Sequence, residues 1–243
     1  MGCVSSYTEN ENIEEKKFQD LSGWSNITLD DLLHKLMKEK NVDVRIYTVA
    51  TTKRENQVVR HTGSGPNLEG GLASLCTCKH SMRQYHTTDD WIGKWILGLS
   101  SRAKNNGFDG KHYLFYMMKV EKAFESHAEL YNYLAAKNSS ALRIKSAVHN
   151  RLGDIFEPES HCKNPLDPSM YKTPHPYHSH GKNGSTDWYH DIIYNNKSAP
   201  LLLGDVDNTF VWTEPMIIFD RPRGVGSMKL SIGEDLFRLL KTY

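Results

Sequence analysis

The chain has 243 residues, 38% of them hydrophobic and 24% charged, with a net charge of +1. This is room for one substantial domain or two small ones of ordinary globular composition, and the near-neutral field leaves any nucleic-acid partner to local patches. No run of roughly 18 apolar residues is present to span a membrane, and a mean hydropathy of -0.59 points to long polar loops around a modest core.

The first 24 residues are polar and acidic and read as a loose lead-in, with a single domain over 25–243. "MGCVSS" fits an N-myristoylation pattern at Gly2, and Cys3 offers a second acyl site, but Glu9, Glu11, Glu14 and Glu15 outweigh Lys16 and Lys17. One acyl chain beside net acidity anchors weakly. Thr28 and Asp31 open "TLDDLLHKLMKEK" as a capping box with Asp in place of Glu. Leu29, Leu32, Leu33, Leu36 and Met37 then fall at helical spacing. "DVRIYTVATT" follows as a strand, with Val44, Ile46 and Thr48 on one face and Arg45, Tyr47 and Val49 on the other.

A glycine-rich loop occupies 61–71, followed by expected strands at 72–79, 91–99 and 112–122, the last apolar enough to be buried on both faces. "ESHAELYNYLAAK" reads as a helix, and the segment 137–151 carries Lys137, Arg143, Lys145 and Arg151 with no acid. Residues 157–198 form a long irregular insertion with five of the nine prolines and five of the twelve histidines, the kind of loop that is functional or disordered. "PLLLGDVDNTFVW" and "MIIF" supply two or three strands, and "SIGEDLFRLLKTY" a closing helix with Ser231 and Glu234 as its capping box. The order is α+β, strands dominant: a curved or barrel-like mixed sheet flanked by helices.

Three chemistries compete for the stretch "HTGSGPNLEGGLASLCTCKHSMR". A triphosphate loop needs Lys and Ser/Thr after its last glycine and a helix behind it; Gly71 and Leu72 stand there instead, ahead of a strand. On a strand, Cys76, Cys78 and His80 share one face and suggest metal ligands, although structural zinc pairs are spaced more widely. The alternative is a core face filled by small cysteines. A second metal candidate is His175, His178 and His180, with His190 and Asp191 further on, against a solvated histidine-rich loop as the plainer reading. Cations follow Cys78, at Lys79 and Arg83, and would activate its thiol if it were open to solvent. The four cysteines form no disulfide framework, which favours a reducing compartment and a cytoplasmic location.

The third chemistry is a pocket wall for a nucleotide or flipped base. Glycines allow close backbone approach, Asn67 offers donor and acceptor together, and Lys79 and Arg83 offer charge for phosphate. Trp91, Trp95, Tyr85, Trp188, Tyr189 and Trp212 are available for stacking.

Several ordered pieces resemble the nucleotide modification associated domain of the second type, a PUA-like family. "TGSGPN" (62–67) is similar to its G-x-x-P-N loop, "LCTCKHSMR" (75–83) to its apolar-x-x-C-K-x-x-I-R strand, and "GKWILGLSS" (93–101) to its G-D-W-I-x-G segment. "YLFYMMKVEKAFESHAELY", "GDIFEP" and "LLLGDVDNTFVW" follow in the family's order, covering roughly 43–220. The chain departs from the pattern at His61 and Lys94, where that family carries Asp. The resemblance implies a PUA-like barrel and a modified-nucleotide, DNA-modification or defence context. It does not decide between a reader and an enzyme.

The leading expectation is a module that binds nucleic acid or nucleotide through Thr62, Gly63, Pro66, Asn67, Lys79, Arg83 and Trp95, with no cofactor and with DNA-modifying enzymes as partners. The 137–151 segment would extend contact along the backbone. The rival is an enzyme acting on nucleotides, metal-assisted through a divalent ion, using Asp154, His190 and Asp191 with the histidine loop. A structural component of a modification complex is the third.

Overall fold

The computed structural model of the protein describes residues 17–39, 43–176, 178, 188–220 and 227–243. Helix α1 (Leu29–Met37) begins where expected, the Thr28 side chain accepting from the Asp31 N–H, and it buries Leu32 and Leu36 completely. Each of those leucines contributes about 2 kcal/mol of burial. Strand β1 (Asp43–Val49) alternates as its sequence indicates: Val44 and Ile46 pack beneath α1, Tyr47 and Val49 on the opposite side of the sheet.

The chain then makes a tight hairpin, β2 (Thr52–Glu55) and β3 (Val58–His61), turning at Asn56 and Gln57 with φ of 48° and 69°. A two-residue turn with both φ positive matches strand twist. The expected strand 72–79 is reduced to β4 (Ser74–Leu75); Lys79 is left-handed at φ 60°, and α2 (His80–Arg83) starts at the next residue. The expected strand 91–99 starts late. A Thr87–Asp90 capping box instead begins α3 (Thr88–Trp91), and β5 (Trp95–Ser100) follows it.

The long strand β6 (His112–Phe124) leads into α4 (His127–Lys137) and, after Asn138, α5 (Ser139–Lys145), which was not foreseen within the basic segment. Beyond α6 (Tyr189–Ile192) come β7 (Leu201–Val211), β8 (Ile217–Phe219) and β9 (Ser227–Ser231). Helix α7 (Glu234–Leu239) has Gly233 as its N-cap, not the expected Ser231, which is the last residue of β9. The chain closes as β10 (Leu240–Thr242), not as helix.

Eight strands form one curled, half-barrel sheet in the order β10-β8-β6-β5-β1-β9, with β7 on β6 and β4 on β7. The β1–β5 pair is parallel and the other pairs are antiparallel. Register shifts at Gly98/Leu99 and along β6–β7 mark bulges, which bend strands and account for the curl. Gly98 is obligatory there, because a Cβ would lie 2.0 Å from the Tyr116 ring. Trp95, Leu97, Leu114, Met117 and Trp212 fill the α1 side of the sheet; Phe115, Tyr116, Met118 and Trp91 fill the other. No helix among the described residues is long and apolar enough to cross a membrane.

Two stretches read as loose from sequence are packed where described. Gln19 and Leu21 of the lead-in are buried. In the insertion, Tyr171, Trp188 and Ile192 join Ala147 and Phe156 in a small core of their own. Gly2, Cys3 and His180 lie outside the described residues.

Candidate functional site

The loop 62–67 was expected to wall an open pocket, and the structure corrects this. Gln19 lies across the loop: its Nε2 donates to the carbonyls of Gly63 (2.7 Å) and Pro66 (2.8 Å), and its Oε1 accepts from the Leu68 N–H. His61 holds the loop from the other side. Its Nε2 sits 3.0 Å from the Pro66 carbonyl, and its Nδ1 accepts from the Gly63 N–H. Because a carbonyl only accepts, Nε2 carries the proton and the ring is neutral. Burial agrees, lowering His61 to about 4. Thr62 donates to the Thr51 carbonyl, and a Cβ on Gly63 would meet Thr51 Oγ1 at 2.6 Å. These groups are bound to one another.

Asn67, Arg83 and Trp95 are likewise fully buried. Asn67 Nδ2 donates to the Leu152 carbonyl, and its Oδ1 accepts from the Glu69 N–H and from Lys145 Nζ. The Arg83 guanidinium is consumed by four carbonyls: Cys78 and Cys76 on its own loop, Ala199 and Pro200 across the fold. Trp95 is core, with Lys119 Nζ over its ring at 5.8 Å. A buried Arg or Asn with every hydrogen bond made internally is fold-forming.

The candidates for enzymatic chemistry fall in separate places. Asp154 is buried beside Ser74 and Lys145, His190 faces solvent, and the neighbouring Asp191 points inward to His80. His175 is half-buried, with its N–H on the Ala147 carbonyl, while His178 is buried against Phe156. Among the described residues no three His, Cys, Asp or Glu side chains gather as a metal site. The Cys76–Cys78–His80 face does not form, since the strand ends at Leu75. Burial pushes the half-buried Cys78 thiol up to about 12, opposite to the activation that Lys79 and Arg83 suggested. Cys76, Cys78 and Cys162 are all free thiols.

One expected residue, Lys79, does line an opening. A cleft of about 270 Å³ is bounded by Lys79, His80, Ser81, Met82, Tyr194 and Ser227. The His80 and Tyr194 rings stack at 5.0 Å and 17°, and His80 Nε2 is 3.0 Å from the buried Asp191 carboxylate. Lys79 Nζ sits 5.1 Å over the Tyr47 ring, whose hydroxyl meets that of Tyr116 at 2.7 Å.

Tyr194 is presented by a hairpin turn, Tyr194–Lys197, whose central Asn195 and Asn196 have φ of 52° and 59°. Asn tolerates that region better than most residues. Gln84 Nε2 donates to the Tyr194 carbonyl, and Arg83 holds Ala199 and Pro200. The helix carrying His80 is thus tied directly to the segment carrying Tyr194. Arg83, expected as a phosphate ligand, builds the cleft from behind.

The cleft continues onto a basic, aromatic shelf. In the β1–β9 register Tyr47 opposes Ser227 and Arg45 opposes Lys229. Arg45 therefore follows Tyr47 on the same face of β1. It stacks 5.1 Å over Tyr85, which is 63% exposed, and its Nη2 donates to His86 Nε2 at 3.0 Å. Desolvation, then Lys94 and Arg45, lower the His86 pKa, so the ring stays neutral among cations. Tyr194, Arg45 and His86 were missed from sequence, and His80 was weighed there only as a metal ligand. The "NN" turn before Lys197 was the one local signal for Tyr194; nothing local pairs His80 with a residue over a hundred positions away.

A larger cavity of about 670 Å³ lies between the 17–24 segment and the β2–β3 hairpin, lined by Phe18, Trp24, Val59 and Arg60 among others. Arg60 lies 5.0 Å over the Phe18 ring there, but among the described residues the cavity has no stacked ring pair held by a buried carboxylate like the one beside Lys79. Comparisons of the chain with protein-family models, with curated proteins and with solved structures give no match.

Proposed function

We propose that the protein is a nucleic-acid binding module of PUA-like type that takes one base, modified or not, into the Lys79–Tyr194 cleft. The observation that carries this is the His80–Tyr194 stack beside Lys79 and the Arg45–Tyr85 shelf. Every base has a π-face, and aromatic platforms flanked by cations are the common means of holding a strand. At about 270 Å³ the cleft is just under the ~300 Å³ lower end of small-molecule sites, which suits a single base or nucleoside. Asp191 fixes the His80 ring so that the platform is preorganised. A base extruded from its stack would enter here while Lys79 and Lys94 meet the flanking phosphates.

The ordered resemblance to the nucleotide modification associated domain supplies the context: a reader in a DNA-modification or defence system, working beside DNA-modifying enzymes in a reducing compartment. In this reading Lys94, standing where that family carries Asp, adds positive charge to the shelf and favours a more anionic ligand.

The test is fluorescence anisotropy with labelled single-stranded and duplex oligonucleotides, plain and base-modified, across a salt series. Binding with a log–log salt slope of about -0.7 per phosphate contacted on a single strand, and tighter for one base type, is expected. Absence of binding to all of them at 50 mM salt refutes the reading.

A further inference from the structure

The cleft leaves one buried cluster unused. Lys145, Asn67, Ser74 and Asp154 are each 0% exposed. Lys145 Nζ lies 2.7 Å from Asn67 Oδ1, 2.9 Å from the Asn67 carbonyl and 2.9 Å from Ser74 Oγ. Ser74 Oγ in turn donates to Asp154 Oδ2 at 2.8 Å. A primary amine, a carboxamide and a carboxyl group are thus lined up through one hydroxyl in a fully buried site.

We propose that Lys145 and Asn67 become joined by an intramolecular isopeptide bond, with Asp154 as the proton-transfer group. The Asn67 carboxamide is immobilised for it. Its Nδ2 is held by the Leu152 carbonyl, and its Oδ1 takes the Glu69 N–H, which polarises Cγ. Asp154 first accepts a proton from the Lys145 ammonium through Ser74 Oγ, leaving a neutral amine beside a neutral acid. The Nζ lone pair then attacks Asn67 Cγ. The tetrahedral centre collapses with cleavage of the Cγ–Nδ2 bond as Asp154 returns its proton to the departing nitrogen, and the second proton shed by Nζ passes to the released ammonia, which leaves as ammonium. The balance is one ammonium plus one carboxamide giving one secondary amide plus ammonium ion, with no oxidant or reductant.

The surroundings favour each step. Burial raises Asp154 to about 6 and lowers Lys145, so both partners move toward the neutral pair. Fixed reactants at contact gain the advantage of an intramolecular reaction, and full burial shields them from bulk solvent. The bond would tie β4 and its preceding loop to α5 across 78 positions of sequence, restricting the unfolded chain as a disulfide does.

The experiment is intact mass spectrometry of the purified full chain under denaturing conditions, followed by protease digestion. The expected result is a mass lower by one ammonia, together with a branched peptide that joins the segments containing Asn67 and Lys145. Asp154→Asn, verified as folded by circular dichroism, should show the unreduced mass and no branched peptide. A wild-type chain at its full sequence mass overturns the proposal. So does ammonia loss without the branched peptide, which indicates succinimide at an asparagine. Asp154→Asn that still crosslinks overturns the role given to Asp154.

Discussion

Replacing Arg83 separates a fold-forming role from a ligand-binding one. Its guanidinium donates at 2.6–2.8 Å to the carbonyls of Cys76, Cys78, Ala199 and Pro200. Met fills a similar volume and donates nothing. Four buried carbonyls then lose a charged donor, at no less than about 1 kcal/mol net for each hydrogen bond, or at least ~4 kcal/mol together. That agrees with the 3–5 kcal/mol typical of removing one partner from a buried charged arrangement. Urea denaturation of Arg83→Met should therefore show a loss of about 4 kcal/mol with an unchanged m-value. Arg83→Lys should recover little of it, because one ammonium cannot serve four acceptors on both sides of the side chain. If Arg83→Met retains stability within about 1 kcal/mol of the wild type yet abolishes oligonucleotide binding, Arg83 is a ligand contact and the cleft has been misplaced.

The acid limb of stability follows from three buried groups. His61 and His127 are held neutral by burial, at about 4 and about 3, so the unfolded chain binds two more protons as pH falls below 6.5 and stability is lost. Asp154, raised to about 6, opposes them: the folded chain binds its proton first, and stability is gained as pH falls from 6 to 3.8. Urea midpoints should thus fall between pH 6 and 4, and Asp154→Asn should steepen the fall by about one proton. Gly98→Ala should destabilise by at least about 1–3 kcal/mol through overpacking, because its Cβ would lie 2.0 Å from the Tyr116 ring; a thermal melt checks it. Native protein at pH 8 should alkylate Cys162 and leave Cys76 and Cys78 unlabelled, since burial pushes both of the latter thiols up. Peptide mapping after iodoacetamide treatment reads this directly.

What the sequence revealed was periodicity and local capping. The two faces of β1, the Thr28 cap and the double burial of β6 are all set by neighbours within a few residues. Trp91 was lost to the strand reading because an apolar run does not show that the Thr87–Asp90 box and Gly93 divide it into helix, turn and strand. The site failed for a different reason. Asn67, Lys79 and Arg83 are the residue types a nucleotide pocket needs, but residue type does not say whether a polar group faces a ligand or the protein's own carbonyls. Arg83 is satisfied by Ala199 and Pro200, and Asn67 by Lys145 and Leu152, all distant in sequence. The His80–Tyr194 stack depends on the same long-range closure.

The most direct measurement of the central claim compares oligonucleotide binding by the wild type, Tyr194→Ala and Lys79→Ala across a salt series. Loss of a base-stacking platform is expected to cost Tyr194→Ala about 1–3 kcal/mol with the salt slope unchanged. Lys79→Ala is expected to weaken binding of all sequences alike and to reduce the slope by about one. If both variants, folded as judged by circular dichroism, bind with wild-type affinity and slope, the Lys79–Tyr194 cleft is not where nucleic acid is held.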